Sequence, residues 1–176
     1  AHNVGLAVVA VKDNQIIYSN TFGYKHIPSA AITDVDGLVD ADRRDSVPLA
    51  KDDLFRIASI SKAFTTVSLL QLVEQGRLSL QDDVSNLIGF RVRNPRFPDI
   101  PITLEMLLSH TSSLSDRNGY FSLNVINPEV NPKADSCYND YAPASGYEYC
   151  NLNLNLSGAI LERISGERFD DYVRHH

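Results

Sequence analysis

Segment 59–75 constrains the fold of this chain most strongly, because apolar residues occupy nearly every side of its predicted helix. Extended-looking sequence ends at Phe55, a helical pattern begins near Ser59, and Gly76 follows the last helical residue, as is typical of a helix end. A helix that is apolar all round is usually buried. We therefore predict a buried central helix over 59–75. Its apolar residues are Ala63, Phe64, Val67, Leu69, Leu70, Leu72 and Val73.

Ser59 and Lys62 stand at the start of this helix, where their spacing suggests chemistry. Residues three apart share a helix face, so the amine can take the hydroxyl proton while the helix N-terminus stabilises developing negative charge. With 17 Ser and 5 Lys in the chain, chance gives about 0.5 Ser-x-x-Lys matches. The spacing alone therefore favours the plainer interpretation, a serine that caps the helix and a solvated lysine.

The composition excludes several kinds of partner. A net charge of −6 over 176 residues argues against a surface for nucleic acid or an anionic membrane. The longest apolar runs, 4–11 and 67–73, are far too short to span a bilayer. No Cys/His cluster has the spacing of a zinc site, and we predict no metal and no cofactor.

Cys137 and Cys150 flank a polar loop. A disulfide that closes this loop is expected if the protein enters an oxidising compartment. Two unrelated thiols are the alternative, because sequence does not measure the separation of the two residues.

The N-terminal residues predict a hairpin. Residues 4–11 are nearly all apolar, which fits a strand covered on both faces. Asp13 and Asn14 supply a turn, and residues 16–23 give the returning strand.

Residues 25–53 are polar and rich in Asp, Pro and Ala, which predicts a long surface loop. Its aspartates do not have the pattern of a calcium-binding loop, because Gly37 is misplaced and no glutamate follows at the required spacing. A solvated acidic loop is the better interpretation. The aspartates concerned are Asp34, Asp36, Asp40 and Asp42.

The rest of the chain predicts helices joined by loops. Residues 78–88 form a turn and a short helix, Thr103 caps a second short helix over 104–109, and 152–164 form an amphipathic helix closed by Gly166. A last helix starts near Phe169.

Two features between these helices bear on function. Residues 115–145 are rich in Asn, Pro and Asp and predict a long loop, which we expect to border a functional site. His110 could serve as a catalytic base. We favour a structural role, in which its ring binds backbone near a helix C-terminus.

Several segments carry a recognisable pattern in a fixed order. They are 5–9 with 22–24, 54–62, 75–82, 102–114 and Tyr149-Cys150-Asn151 followed by a helix. Together they resemble the serine beta-lactamase and penicillin-binding-protein superfamily, in particular its class C-like branch. That branch includes class C beta-lactamases, D-alanyl-D-alanine carboxypeptidases, D-aminopeptidases and related esterases. Loops 25–53 and 115–145 match poorly.

The resemblance implies roles for four residues. Ser59 would be the acylated nucleophile and Lys62 its activator. Tyr149, of the family's Tyr-x-Asn motif, would act as general base with Lys62, and Asn151 would contact the substrate amide. A serine hydroxyl is a poor nucleophile until a neighbour accepts its proton, and a tyrosinate beside an ammonium can do so at neutral pH.

Tyr18-Ser19-Asn20 also spells Tyr-x-Asn, and chance gives about 0.6 such matches. It precedes Ser59 and falls in a predicted strand, whereas the family's motif follows the nucleophile. We predict that Tyr18 is a sheet residue. Within the favoured motif, Cys150 stands where the family commonly has Ser.

The resemblance implies an α/β chain of the α+β type with a beta-lactamase/transpeptidase-like fold. We expect the first two strands of the central sheet over 1–24, a long loop leading to the nucleophile over 25–58, and a mainly helical subdomain over 59–176.

The family's third motif, a Lys-Thr-Gly or His-x-Gly triad, lies on a later strand that supplies one of two oxyanion-hole amides. No such triad follows Asn151. The chain therefore resembles the N-terminal half only, with the rest of the sheet absent. We expect the C-terminal half of the same fold to be needed to complete the site.

The expected function is that of an active-site serine hydrolase, which forms an acyl-enzyme with a D-amino-acid peptide, a beta-lactam or an ester. The isolated chain is expected to be inactive. The alternative is a catalytically silent penicillin-binding-like protein that binds a peptidoglycan fragment or a protein partner. We expect a periplasmic or secreted location with the leader outside this chain, a small-molecule or peptide substrate, no nucleic-acid partner and no membrane-spanning segment.

Overall fold

The computed structural model describes residues 5–26 and 46–176, which form two compact units. The first unit ends at Arg56 and the second covers 57–176. The four aspartates weighed above as calcium ligands lie outside the described residues.

The first unit is an antiparallel sheet in the order β1-β2-β3. Its strands are β1 (Gly5–Lys12), β2 (Gln15–His26) and β3 (Val47–Pro48). Asp13 and Asn14 join β1 to β2 with φ angles of 52° and 59°. Two successive left-handed residues suit the tight hairpin turn whose twist matches that of the strands, and the hairpin prediction is confirmed. Tyr18 pairs with Ala10 in this sheet, as predicted for a sheet residue.

Two sequence-based expectations for this unit are wrong. The predicted loop 25–58 contains β3, which pairs with the end of β2 and places Pro48 on an edge strand, where its missing N–H costs least. The apolar side chains Leu6, Val9 and Val11 of β1 are exposed rather than covered on both faces. The described residues of this unit form a single sheet, without a second layer that could cover them.

The second unit consists of five helices joined by loops and short 3-10 turns. The helices are α1 (Ser61–Glu74), α2 (Val84–Ile88), α3 (Leu104–Leu108), α4 (Asn151–Ser165) and α5 (Phe169–His175). The 3-10 turns are Ala58–Ile60, Asp116–Asn118, Leu123–Val125 and Ala134–Cys137.

Helix α4 lies at the centre of the unit and contacts α1, α2, α3 and α5. Its fully buried apolar side chains are Leu152, Leu156, Ile160 and Leu161. Each buried aliphatic side chain contributes about 2 kcal/mol to the free energy of unfolding. The packing of α4 against the other helices therefore holds the start of α4 in place.

Residues adjacent in sequence begin or end three of the helices, as predicted for Thr103 and Gly166. The Asp83 carboxylate accepts from the N–H of Ser85 at 2.9 Å and caps α2. The Thr103 hydroxyl accepts from the N–H of Met106 at 3.4 Å and caps α3. Gly166 ends α4 with a φ of 80°, a left-handed conformation that favours glycine.

Helix α1 differs from its prediction at its start and in its burial. It begins at Ser61, after the 3-10 turn, and ends before Gly76 as predicted. One side is buried, but Phe64, Val67 and Leu70 on other sides are 51%, 57% and 39% exposed. The prediction of burial all round is wrong for this structure, because within the unit α4 and α5 are the helices that pack against α1.

Candidate active site

Ser59 lies in the 3-10 turn that leads into α1. The preceding residue, Ala58, has a φ of 46°, a left-handed conformation that costs a residue with a side chain roughly 1–2 kcal/mol. Lys62 follows in the first turn of α1, and its Nζ donates to Ser59 Oγ at 3.1 Å. The predicted pair is therefore in contact, although Ser59 precedes the α-helix.

Tyr149 and Asn151 reach the same place from the start of α4. The Tyr149 hydroxyl lies 2.6 Å from Ser59 Oγ, across 90 residues of sequence. Lys62 Nζ donates to Asn151 Oδ1 at 2.8 Å and lies 5.0 Å from the centre of the Tyr149 ring. The structure thus brings all four residues singled out from the sequence into one cluster.

The surroundings of Tyr149 favour its phenolate form. The Lys62 ammonium and then the Ser59 hydroxyl stabilise the phenolate by hydrogen bonding and lower the pKa of Tyr149. The smaller effects of burial and of the Asp116 charge oppose this shift. A phenolate beside a hydroxyl is an arrangement that can accept a proton.

His110 contacts the residues on the Tyr149 side of the cluster. Its Nδ1 accepts from the N–H of Cys150 at 3.2 Å, and its ring centre lies 4.7 Å from that of Tyr149. Burial and then the Lys62 charge lower the pKa of His110, so Nδ1 is free to accept at neutral pH. The structural role favoured from the sequence is confirmed by this bond to backbone.

Asp116 supports the Asn151 side, and no sequence pattern singled it out. Its carboxylate accepts from the N–H groups of Asn151 and Leu152 at 2.8 and 2.9 Å. It also accepts from Asn151 Nδ2 at 2.8 Å and from Cys150 Sγ at 3.1 Å. Burial raises the pKa of Asp116, but these hydrogen bonds outweigh burial and lower it overall. The expectation that loop 115–145 borders the site is confirmed by these contacts.

Cys137 and Cys150 are both buried free thiols, so the disulfide expectation is wrong. Each thiol has another partner, because Cys137 Sγ donates to the Val125 carbonyl at 3.2 Å and Cys150 Sγ donates to Asp116. Burial is the main cause that raises the pKa of Cys150 to about 12, which leaves this thiol protonated and unreactive at neutral pH.

A groove of about 570 Å³ opens beside Lys62, between α1 and α4. Its apolar lining consists mainly of Tyr120, Phe121, Leu123, Leu154 and Phe169. Two of these residues are held by α4, because Asn155 Nδ2 donates to the Tyr120 carbonyl and the Glu162 carboxylate accepts from the N–H of Phe169. The cluster therefore adjoins an apolar surface.

Two features of the described part of the chain concern metal binding and membrane insertion. Residues 5–26 and 46–176 contain no group of three or more His, Cys, Asp or Glu side chains that could hold a metal ion. Among the same residues, no helix has the length and apolar character needed to cross a membrane.

The opening hairpin and the helical unit that follows it in sequence define the class of protein. They form part of the fold shared by serine beta-lactamases and penicillin-binding proteins, as the sequence predicted. A family model described as beta-lactamase matches residues 1–176. The chain belongs to the beta-lactamase family, in its class C-like branch.

Individual relatives agree with this assignment. Penicillin-binding protein 4* of Bacillus subtilis (strain 168) is 28% identical over 184 residues, which cover 98% of this chain and 35% of that protein. The octameric penicillin-binding protein homologue from Pyrococcus abyssi has a TM-score of 0.70 at 26% identity, covering 97% of this chain and 37% of that one. EstCE1, a hydrolase with promiscuous acyltransferase activity, has a TM-score of 0.67 at 26% identity, covering 98% and 45%. The chain thus spans less than half the length of each.

Proposed function

We propose that the protein containing this chain is an active-site serine hydrolase that forms an acyl-enzyme at Ser59 with an amide or ester substrate. The observation that carries the proposal is the 2.6 Å contact between Ser59 Oγ and the Tyr149 hydroxyl, with Lys62 Nζ 3.1 Å from the same Oγ. The similarity to EstCE1, a hydrolase, supports the reaction class.

The reaction begins with a proton transfer. The Tyr149 phenolate takes the Ser59 proton as Oγ bonds to the carbonyl carbon, and the Lys62 ammonium stabilises the phenolate beforehand. The tetrahedral intermediate collapses when the bond to the leaving nitrogen or oxygen breaks, and Tyr149 returns the proton to that atom. Water then attacks the acyl carbon and gives a proton to the Tyr149 phenolate. The bond to Ser59 Oγ breaks, Tyr149 returns the proton to Oγ, and the free acid leaves.

The oxyanion of the intermediate needs two donors. We assign one to the backbone N–H of Ser59. The second would come from the third motif, which does not occur after Asn151 in this sequence. The C-terminal half of the same fold therefore completes the site in this proposal.

The substrate class is a D-amino-acid peptide, a beta-lactam or an ester. Asn151 contacts the substrate amide through its Nδ2, which carries one proton for Asp116 and a second for substrate. Specificity arises in part from loop 115–145, which contributes Tyr120, Phe121 and Leu123 to the apolar groove. The proposed location is periplasmic or secreted.

A covalent label tests the nucleophile. The complete protein is treated with a fluorescent penicillin and, separately, with a fluorophosphonate, and the modified peptide is mapped by mass spectrometry. We expect the adduct on Ser59, its loss in Ser59→Ala, and its retention in Ser61→Ala, a matched exposed serine two residues on. Labelling that survives Ser59→Ala would contradict the assignment.

Turnover separates this proposal from a catalytically silent binding protein. The complete protein should hydrolyse nitrocefin or a p-nitrophenyl ester, and Lys62→Ala should abolish that hydrolysis at neutral pH. A complete protein that binds a peptidoglycan fragment but turns over neither substrate would belong to the silent class instead.

A further inference from the structure

Asp116 occupies an unusual position relative to the candidate site. It is half-buried at the start of a 3-10 turn, 35 residues before Asn151, yet all four of its hydrogen-bond donors belong to residues 150–152. Cys150, the residue that precedes α4, makes no side-chain capping bond. Asp116 therefore replaces a local cap.

The Asn151 amide has two chemically different ends, and each end has one partner. Lys62 Nζ is only a donor, so it requires Oδ1, which it contacts at 2.8 Å. The Asp116 carboxylate is only an acceptor, so it requires Nδ2, which it contacts at 2.8 Å. Rotating the amide by half a turn would set donor against donor and acceptor against acceptor.

We infer that Asp116 is a positioning residue for the proposed acyl transfer. It holds the Asn151 amide in the orientation that presents Oδ1 to Lys62, and so keeps the Lys62 ammonium beside Ser59 and Tyr149. This inference rests on the proposed function, in which Lys62 stabilises the Tyr149 phenolate.

A titration of Tyr149 tests the positioning directly. Two explanations of the role of Asp116 predict opposite shifts of the Tyr149 pKa in Asp116→Asn. Lys62 holds the pKa of Tyr149 down, whereas the negative charge of Asp116 raises it. If Asp116→Asn only removes that charge, the pKa of Tyr149 falls. If Asp116→Asn also frees Asn151 and lets Lys62 move away, the pKa of Tyr149 rises.

The measurement is a pH titration of the complete protein with ¹³C-labelled tyrosine Cζ, followed by NMR. We expect a higher Tyr149 pKa in Asp116→Asn than in the native protein. An unchanged or lower value would overturn the inference. His110, the other titratable ring beside Tyr149, is neutral over this alkaline range because its own pKa is lowered.

The matched control is Asp83→Asn. Asp83 is also a half-buried carboxylate that caps a helix, here α2, and its side-chain partners Ser85 and Arg93 do not belong to the cluster. Asp83→Asn should lower the stability of the protein without changing the pKa of Tyr149 or the rate of labelling at Ser59.

A double variant separates positioning from helix capping. Asp116→Asn should slow acylation at saturating probe by about tenfold or more, since small misplacements of reacting groups cost that much. Adding Cys150→Ser supplies a local cap for α4, which should restore stability but not the rate. Recovery of the rate together with stability would show that Asp116 is only a cap.

The two proposals fail separately. A native protein that no probe labels at Ser59 contradicts the proposed hydrolase. The shift of the Tyr149 pKa in Asp116→Asn needs no turnover, so it tests separately whether Asp116 holds Lys62 beside Tyr149.

Discussion

Tyr149 is the residue whose protonation state decides the proposed reaction. As a phenol it can only share its proton with Ser59, and as a phenolate it can remove the Ser59 proton. The Lys62 ammonium and the Ser59 hydroxyl lower its pKa, which moves the reactive form toward neutral pH. The pH dependence of acylation should therefore report this one group.

We predict that the acylation rate rises with pH as Tyr149 loses its proton and levels off once the phenolate is complete. Because the pKa of Tyr149 is lowered, the rise should lie below pH 10, the ordinary value for a phenol. Lys62→Met removes the main stabilising partner, so it should shift the rise to higher pH. Stopped-flow labelling across pH measures both curves.

The control for this prediction is Lys12→Met, on β1. Lys12 is exposed and belongs to the other unit, so its loss should leave the pH profile in place. If the acylation rate depends on pH in the same way in Lys62→Met and in the native protein, then either Tyr149 or Lys62 takes no part in the proton transfer.

The ordered motifs and the family resemblance singled out Ser59, Lys62, Tyr149 and Asn151, but they could not single out Asp116. The role of Asp116 depends on a contact across 35 residues, which no local pattern encodes. One indirect signal existed in the sequence. Cys150 precedes α4 where a capping Ser, Thr, Asp or Asn is usual, so the first N–H groups of α4 need a partner from elsewhere.

Helix ends were predictable because the residues that form them are neighbours in sequence. Asp83, Thr103 and Gly166 each act within one turn of the helix that they terminate. The burial of α1 and the pairing of the cysteines depend on distant parts of the chain. Both of those predictions failed.

Gly158, within α4, and Gly166, which follows its last residue, should respond oppositely to alanine. Gly166 has a φ of 80° in open space, so Gly166→Ala should cost about 1 kcal/mol of unfolding free energy from backbone strain alone. Gly158 lies inside the helix, where a Cβ would meet the Phe169 ring at 3.7 Å, an ordinary contact. Gly158→Ala should therefore stabilise the protein by roughly 0.5–1 kcal/mol.

Urea denaturation of the two variants beside the native protein measures both effects. Because one change lies within α4 and the other at its C-terminal end, each variant serves as the control for the other. Equal shifts in the same direction would contradict the assigned end of α4.

At the scale of the whole molecule, two observations bear on whether the chain needs further residues to complete its site. They are the length of its relatives and its exposed apolar surface. The chain covers 35% of penicillin-binding protein 4*, and the half-exposed apolar side chains of α1 include Phe64 and Val67. Exposed apolar surface of this kind marks an interaction site. These observations support the prediction that the C-terminal half of the same fold is needed.

We predict that the 176 residues alone hydrolyse esters and amides at least about 100-fold more slowly than the complete protein. The reason is the missing oxyanion donor, whose loss costs on the order of 3 kcal/mol. Initial rates on a p-nitrophenyl ester, with Ser59→Ala of the complete protein as the baseline, measure the difference. Comparable rates would mean that the described residues already contain a full oxyanion hole.

The long loop that contains Asp116 is joined at its base. Leu114 and Tyr138 form an antiparallel bridge, with the N–H of Ser115 donating to the Cys137 carbonyl at 2.8 Å. Each doubling of the length of a closed loop lowers the free energy of unfolding by only about 0.6 kcal/mol, through the entropy of closing the loop. Insertions and deletions between Asn118 and Cys137 can therefore accumulate over evolution without moving Asp116. New substrate preferences can arise there while the reacting atoms keep their positions.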